Sequence, residues 1–366
     1  MRNFMSAAGS SPTRIPMTSS GNSTPRRREC SPPWGFPMEA RKAIAATRSM
    51  QPSPRRCNRH VLRWRRAVAE FVFLNDRLVP AEEATVSVFD AGFTHAAGLF
   101  ETMRAYNGHV LRLEQHLDRL IRSAATLELQ MPAAIEAQVP SSQNDLKTAI
   151  LSVLEANKLR DARLRLVITP GDVPRPGQSL EHRPPPTVLI TASPLQPYPG
   201  TYYRGGMRVT ICPYKISRTD PLAGHKTLAY LPRLLAMKDA ADRGCQESLW
   251  FTTENFLAEG SVCNVFIISG GTIMTPPADT PILPGITRAI VMELSREGGA
   301  AVEERKIDIN MLLAAEEVFL TGSIMEIMPV TSIEKHMVGD GSVGPLTQKV
   351  MELFRSFINK ECGTDG

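Results

Sequence analysis

Residues 101–121 read Glu101-Thr-Met-Arg-Ala-Tyr-Asn-Gly-His-Val-Leu-Arg-Leu-Glu-Gln-His-Leu-Asp-Arg-Leu-Ile121, and two different periods succeed each other within them. Glu101 to Tyr106 alternates as a strand, Asn107-Gly108 supplies a tight turn, and His109-Val110-Leu111 returns. The pattern then changes: Leu113, Leu117, Leu120 and Ile121 stand at helical spacing in a helix expected over Glu114–Leu127. A hairpin feeding directly into a helix is the mark of a mixed α/β chain.

The same reading extends outward in both directions. Upstream, Phe71–Leu74 enters a turn at Asn75-Asp76, and Val86–Phe89 has the composition of a second short strand. Downstream come a helix over about Gln143–Asn157 and strands at Arg163–Thr169 and Thr187–Thr191. Pro194 to Gly206 is rich in Pro and Gly and reads as a linker between domains. The second half opens with a strand at Met207–Cys212, then a helix over about Leu228–Arg243 ended by Gly244. Strands at Glu247–Thr252 and Val262–Ile268, a Gly270-Gly271 turn, helices at Thr287–Glu297 and Ile309–Ala314, and a strand at Glu317–Leu320 follow. The fold class is therefore α/β (α+β mixed), in two halves: a small domain over 68–193, a linker over 194–206 and a large domain over 207–366.

Charge divides the 366 residues differently. Residues 1–67 hold 14 Lys and Arg against Glu29 and Glu39 alone, a balance of +12. The other 299 residues hold 28 basic and 35 acidic groups, so the formal +5 averages a basic leader with an acidic body of −7. An acidic body argues against a nucleic-acid-binding module, which needs a basic face. The leader is rich in Ser, Pro and Arg without an apolar period, and reads as disordered. An inert extension, an organellar transit peptide and a start placed too far upstream all share that composition. No run approaches the ~20 apolar residues of a membrane span. The six cysteines (Cys30, Cys57, Cys212, Cys245, Cys263, Cys362) form no C-x-x-C pair, which fits a reducing compartment, and a cytoplasmic location is expected.

Several chemistries are ruled out by missing motifs: there is no G-x-x-x-x-G-K-[ST], H-E-x-x-H or G-x-S-x-G. The G-x-G-x-x-G at Gly339, Gly341 and Gly344 has too little chain after it to complete a dinucleotide-binding unit and reads as a loop. The seven histidines are isolated, and no metal site is expected. What remains is Lys226, in a loop between apolar elements, where desolvation turns an ammonium into a nucleophile toward aldehydes. Three features accompany it. Leu283-Pro-Gly-Ile-Thr-Arg288 opens a helix and is either an ordinary capped start or a phosphate cradle. Thr321-Gly322-Ser323 is a small hydroxyl-bearing turn, and Glu259 is an acid set between two apolar strands, where it is either solvated or holds a proton on a ring nitrogen.

Taken in order, these segments resemble the class IV (fold-type IV) pyridoxal-phosphate enzymes: branched-chain aminotransferases, D-amino-acid aminotransferases and 4-amino-4-deoxychorismate lyases. The resemblance runs from about Phe71 to Phe354. It rests on Phe100-Glu101, Arg112 to Leu120, Lys226-Thr-Leu-Ala-Tyr230, Arg243 to Leu249, the Glu259 segment, Leu283 to Arg288 and Thr321 to Val330. It implies a two-domain fold with a small N-terminal and a larger C-terminal domain, pyridoxal 5′-phosphate between them, and a homodimer whose active sites lie near the interface. By the same resemblance Lys226 is the lysine that binds the cofactor and shuttles a proton, and Glu259 is the acid on the pyridine nitrogen. Arg119 grips the phosphate together with Ile286, Thr287 and Ser323, and Tyr230 lies near the ring.

The reaction is less sharply marked. Branched-chain enzymes typically have Phe-Glu-Gly-Ile-Arg where this chain has Phe100-Glu-Thr-Met-Arg104; the lyases often carry a threonine at the place of Thr102. Phe100, Thr102 and Arg165 are the expected substrate residues, with Arg165 on a carboxylate. Where D-amino-acid enzymes place an arginine this chain has Pro170-Gly171, with Arg175 a few residues on, and His95 stands where relatives have an aromatic residue. The resemblance therefore implies an aminotransferase acting on a small-molecule amino acid, branched-chain in type, and a 2-oxo acid. The lyase giving p-aminobenzoate and pyruvate is the alternative, ahead of a D-specific transaminase.

Overall fold

Leu99–Tyr106 forms a strand, and Asn107 and Gly108 both take positive φ, 51° and 87°, as a two-residue hairpin turn with right-handed strand twist requires. His109–Val110 pairs back onto it and Leu113–Thr126 is helical, so the two periods fold as expected. The computed structural model describes residues 70–129, 146–173 and 185–363. The expected disordered leader at 1–67, the first three residues of the helix expected from Gln143, and Arg175 lie outside the described residues.

Among the described residues the strands make two sheets. The first has six strands in the order Arg77–Pro80, Phe71–Leu74, Thr187–Pro194, Ala162–Thr169, Leu99–Tyr106, His109–Val110, all antiparallel. Its inner face buries Met103, Leu164 and Ile190 against Leu120 of the helix Leu113–Thr126 and Ile150 of the helix Leu146–Ala156. The second sheet has nine strands. Its path runs Ala301–Glu304, Thr272–Thr275, Asn264–Ser269, Glu317–Gly322, Glu326–Ile333, Met207–Ile216, Glu247–Thr252, Leu257–Gly260, with His336–Met337 added onto Glu326–Ile333. Three of its pairings are parallel, which a mixed sheet with helical crossovers permits.

One core of the second sheet lies around Val209, Leu249, Val265 and Leu320. Another lies under two helices, where Phe266 and Phe319 stack at 4.9 Å against Val291, Val350 and Phe354. Phe354 belongs to the C-terminal helix Pro345–Cys362, an element the sequence reading did not anticipate. Its Val350, Phe354 and Ile358 recur every fourth residue and are buried. The helix starts where the Glu317 carboxylate accepts the backbone N–H groups of Leu346 (3.1 Å) and Thr347 (2.7 Å).

Four local expectations change. Val86–Phe89 is not a strand: Val86, Val88 and Phe89 are exposed, and the segment leads instead to Asp90, whose buried carboxylate accepts from the Gly92 N–H and from the Thr169 and Thr187 hydroxyls. Within the Pro/Gly-rich stretch, Gly200–Gly205 forms a short helix. Glu259 lies within a strand, Leu257–Gly260, all four residues of which are buried. The helix expected from Leu228 begins at Leu231, because the preceding residues are held extended: the Lys226 carbonyl accepts from Phe100 N–H and Leu228 N–H donates to the Gly98 carbonyl, both at 2.9 Å. No described helix is long and apolar enough to cross a membrane.

The face of Leu99–Tyr106 that meets the first core carries one acid, Glu101, with only 1% of its surface exposed. It receives Arg119 through two hydrogen bonds (2.8 and 2.7 Å) and Nδ1 of His116 at 2.8 Å. Burial alone would raise its carboxyl, but the Arg119 guanidinium and His116 outweigh that and hold it at about 2. Burial meanwhile lowers His116, with Glu101 opposing the shift.

Two outcomes follow for stability. Phe319→Ala, which opens the stacked core, is expected to cost about 3–5 kcal/mol in urea unfolding. Because Glu101 titrates lower folded than its ordinary 4.5, its contribution is present above that value and is lost as pH falls toward about 2. The unfolding free energy should decline over that window by up to about 3 kcal/mol, and Glu101→Gln should flatten that part of the curve.

Candidate active site

Between the two sheets lies a cleft of about 910 Å³. All ten residues singled out from the sequence line it: Phe100, Thr102, Arg119, Arg165, Lys226, Tyr230, Glu259, Ile286, Thr287 and Ser323. One wall is the first sheet. Side chains alternate along Leu99–Tyr106, so Phe100 and Thr102 face the cleft while Glu101 faces away. Arg165 stands directly across from Thr102 and lays its guanidinium 3.8 Å from the centre of the Phe100 ring, a cation–π contact.

Lys226 comes from the loop that pairs with Gly98–Phe100. That pairing demands a glycine at 98, where a Cβ would approach the Ile168 carbonyl oxygen to 2.6 Å and a Leu228 methyl to 2.8 Å. The Lys226 ammonium sits 4.5 Å from the Phe100 ring centre, and Tyr230 meets that ring edge-on at 5.4 Å. Removal from water lowers Lys226 to about 8; Glu101 opposes the shift, and Arg119 and Arg165 add to it. The result is an amine with a substantial neutral fraction near neutral pH, poised to attack a carbonyl carbon. Tyr230 donates its hydroxyl to the Ser261 carbonyl at 3.1 Å, and burial pushes its phenol well up.

Glu259 occupies the opposite wall. One carboxylate oxygen takes Nη2 of Arg233 at 2.6 Å and the other takes the Leu283 N–H at 2.9 Å. Arg233 in turn donates to the Gly260 carbonyl and stacks 4.6 Å from the Trp250 ring. Arg233 was not singled out from the sequence, and Glu101 and Thr321 stood within quoted motifs without a role of their own. Each pairs with or faces residues remote in the chain, and no local period marks such a partnership.

At the cleft's remaining end the twelve-residue helix Ile286–Glu297 begins. Its cap residue, Gly285, offers no side-chain hydrogen bond, so the first N–H groups carry the helix's positive end toward the cleft. A Cβ on Gly285 would lie 1.9 Å from Oδ1 of Asn264, so only glycine fits this close turn. Arg119 reaches the same place and donates to the Pro284 carbonyl at 2.9 Å. The Thr321 hydroxyl is buried beside Ser323 with no hydrogen-bond partner in the protein, an open donor on the cleft wall. A guanidinium, free helix N–H groups and hydroxyls converging on one end suit a phosphate.

Known proteins resemble this chain in sequence and in fold. Residues 98–333 match the family model of the class IV amino-transferases. The branched-chain-amino-acid aminotransferase of Salmonella typhimurium is 30% identical over 305 residues, covering 80% of this chain and 94% of its own. The D-alanine aminotransferase of Bacillus licheniformis is 31% identical over 290 residues, covering 79% and 98%. Among solved structures, the T.th. branched-chain amino acid aminotransferase with pyridoxamine 5′-phosphate superposes with a TM-score of 0.71 at 27% identity, covering 79% of this chain and 93% of that one. This chain belongs to the class IV aminotransferase family and is a pyridoxal-phosphate-dependent aminotransferase of the two-domain, fold-type IV architecture.

Proposed function

We propose that this enzyme exchanges the amino group of a branched-chain amino acid with a 2-oxo acid, using Lys226 as its catalytic residue. The observation that carries this reading is the placing of a lowered-pKa amine between two recognition ends: Arg165 over Phe100 on one side, and Arg119 with the open start of Ile286–Glu297 on the other. Pyridoxal phosphate supplies an electron sink that renders the substrate Cα–H acidic. Lys226 would bind that cofactor and shuttle the proton between the substrate Cα and the cofactor's C4′. Glu259, held in place by Arg233 and the Leu283 N–H, keeps a proton on the pyridine nitrogen. Arg119, the N–H groups of Ile286 and Thr287, and the hydroxyls of Thr287, Ser323 and Thr321 hold the phosphate; the unpartnered Thr321 hydroxyl fits that task. Tyr230 packs beside the ring. Arg165 binds the substrate carboxylate, and Phe100 and Thr102 shape the pocket around it.

Thr102 keeps a second reading in play, since its hydroxyl-bearing side chain lines the cleft at the place where the lyases often carry threonine. The two are separated by a coupled assay: amino transfer that depends on an oxo-acid acceptor supports the transaminase, and pyruvate released from aminodeoxychorismate without any acceptor supports the lyase.

We also propose a homodimer. Val88, Phe89 and Phe93 form an apolar stretch 63–77% exposed, more than an isolated surface tolerates without a partner. Light scattering should report a dimer, and Phe93→Asp should shift it toward monomer.

For the chemistry, Lys226→Ala should abolish the visible absorbance of the bound cofactor and lower turnover by roughly 10³-fold or more, because positioned proton transfer alone contributes about 10²–10⁴. In the cofactor-free protein, labelling of Lys226 by an amine-directed reagent should rise as pH passes about 8 rather than the ordinary 10.5, since the reactive neutral amine is the form above its pKa.

A further inference from the structure

The loop that brings Lys226 into the cleft carries a second titratable group, which the proposed reaction does not use. His225 lines the cleft next to Lys226. Its backbone is held on both sides. The His225 N–H donates to the Leu222 carbonyl at 3.2 Å. Gly224 before it takes a φ of 81°, and a Cβ there would stand 3.3 Å from the Ile282 carbonyl oxygen. The ring is held as well: Nδ1 lies 3.0 Å from Oγ of Ser123, a buried residue of the helix Leu113–Thr126.

Those contacts fix where the imidazole sits. Ser123 follows Arg119 by four residues, so the two leave one face of the helix a turn apart. Arg119 donates to the Pro284 carbonyl, and Gly224 abuts Ile282, two residues earlier on the same segment. His225 is therefore bracketed by the helix that carries Arg119 and by the segment that leads into the helix Ile286–Glu297. These are the two elements that converge on the phosphate end of the cleft. Nδ1 is tied back to a buried hydroxyl, while among the described residues no hydrogen bond engages Nε2 on the other side of the ring.

An anion selects the tautomer. Facing a phosphate oxygen, Nε2 must carry the hydrogen; Nδ1 then accepts, and the Ser123 hydroxyl, which can play either part, donates to it. Burial lowers the imidazole, so at mildly alkaline pH the ring brings a neutral N–H and adds no repulsion to Arg119 and Lys226 beside it.

We propose that His225 is a further phosphate-binding residue, whose Nε2–H, oriented by Ser123, donates to an oxygen of the cofactor phosphate alongside Arg119. The inference deepens the reading above and rests on that end of the cleft being the phosphate end.

The test compares pyridoxal 5′-phosphate with pyridoxal, which lacks the phosphate. Each is titrated into the cofactor-free full chain at mildly alkaline pH, and binding is read by the absorbance of the bound ring. The preference for the phosphate ester should fall roughly tenfold in His225→Ala, the loss expected for one hydrogen bond to a charged group. It should fall by less in Ser123→Ala, where the ring remains but is no longer held. A preference unchanged in His225→Ala overturns the proposal, and so does a loss that falls equally on both ligands, the result a merely structural role would give. Should His225→Ala not fold, isotope-labelled histidine decides on the wild-type protein. The Nε2 resonance of His225 should move when pyridoxal 5′-phosphate binds and not when pyridoxal binds; the same response to both overturns the proposal. If the wild-type protein binds the two ligands equally, the phosphate reading of this end falls and the inference with it. If wild type and His225→Ala discriminate alike, the inference alone falls.

Discussion

Two backbone hydrogen bonds, Phe100 N–H to the Lys226 carbonyl and Leu228 N–H to the Gly98 carbonyl, tie the loop of the second half of the chain to the strand of the first. They do three things together. They keep residues 226–228 extended and so delay the helix to Leu231; they carry the Lys226 side chain onto the Phe100 ring; and they join the two sheets at the point where the cleft opens. The approach is close enough that residue 98 can carry no side chain. Because the contact is between main-chain atoms, the position of the amine is set by sheet geometry rather than by a flexible side chain.

Around that junction the charges are sorted in advance. Glu101 commits one edge of Arg119, leaving the guanidinium rigid and directed at the start of the helix Ile286–Glu297. Arg233 does the reverse for Glu259, fixing an acid with a base that is itself packed on Trp250. Such pairs contribute little net stability once desolvation is counted, but they hold the functional groups in one geometry. Among the described residues Lys226, Arg163 and Arg165 form no ion pair, and all three face the cleft. A site that binds an anionic cofactor and anionic substrates has its unspent charge where those ligands arrive.

Much of the scaffold was legible in local pattern. The switch from alternating to helical spacing at residues 101–121, the positive-φ turns at Asn107-Gly108 and Gly270-Gly271, and the glycine that ends the helix before residue 245 are consequences of backbone sterics acting over a few residues. Where the reading failed, tertiary contacts overrode local preference. Val86–Phe89 has strand composition but pairs with no strand among the described residues, and Asp90 anchors its end instead. Glu259 looks like a turn acid, yet it lies within a buried strand because Arg233 and the Leu283 N–H compensate its charge.

The sequence by itself determined the periods, the turns, the lysine in its loop and the glycine-led start of the helix at Ile286, and the resemblance of these in order pointed to the family. Only the tertiary structure decided which charges are spent and which are free. Arg233 and Glu259 are 26 residues apart, Arg119 and Pro284 are 165 apart, and Arg104 and Ile324 are 220 apart. Chain spacing carries no information about such pairs; packing of the two sheets brings them together. Among the described residues the same packing leaves Arg163 without an ion pair, although along the strand it alternates like its neighbours. Periodicity is a local steric property, whereas neutralisation depends on the distance between groups that meet only when the fold is complete.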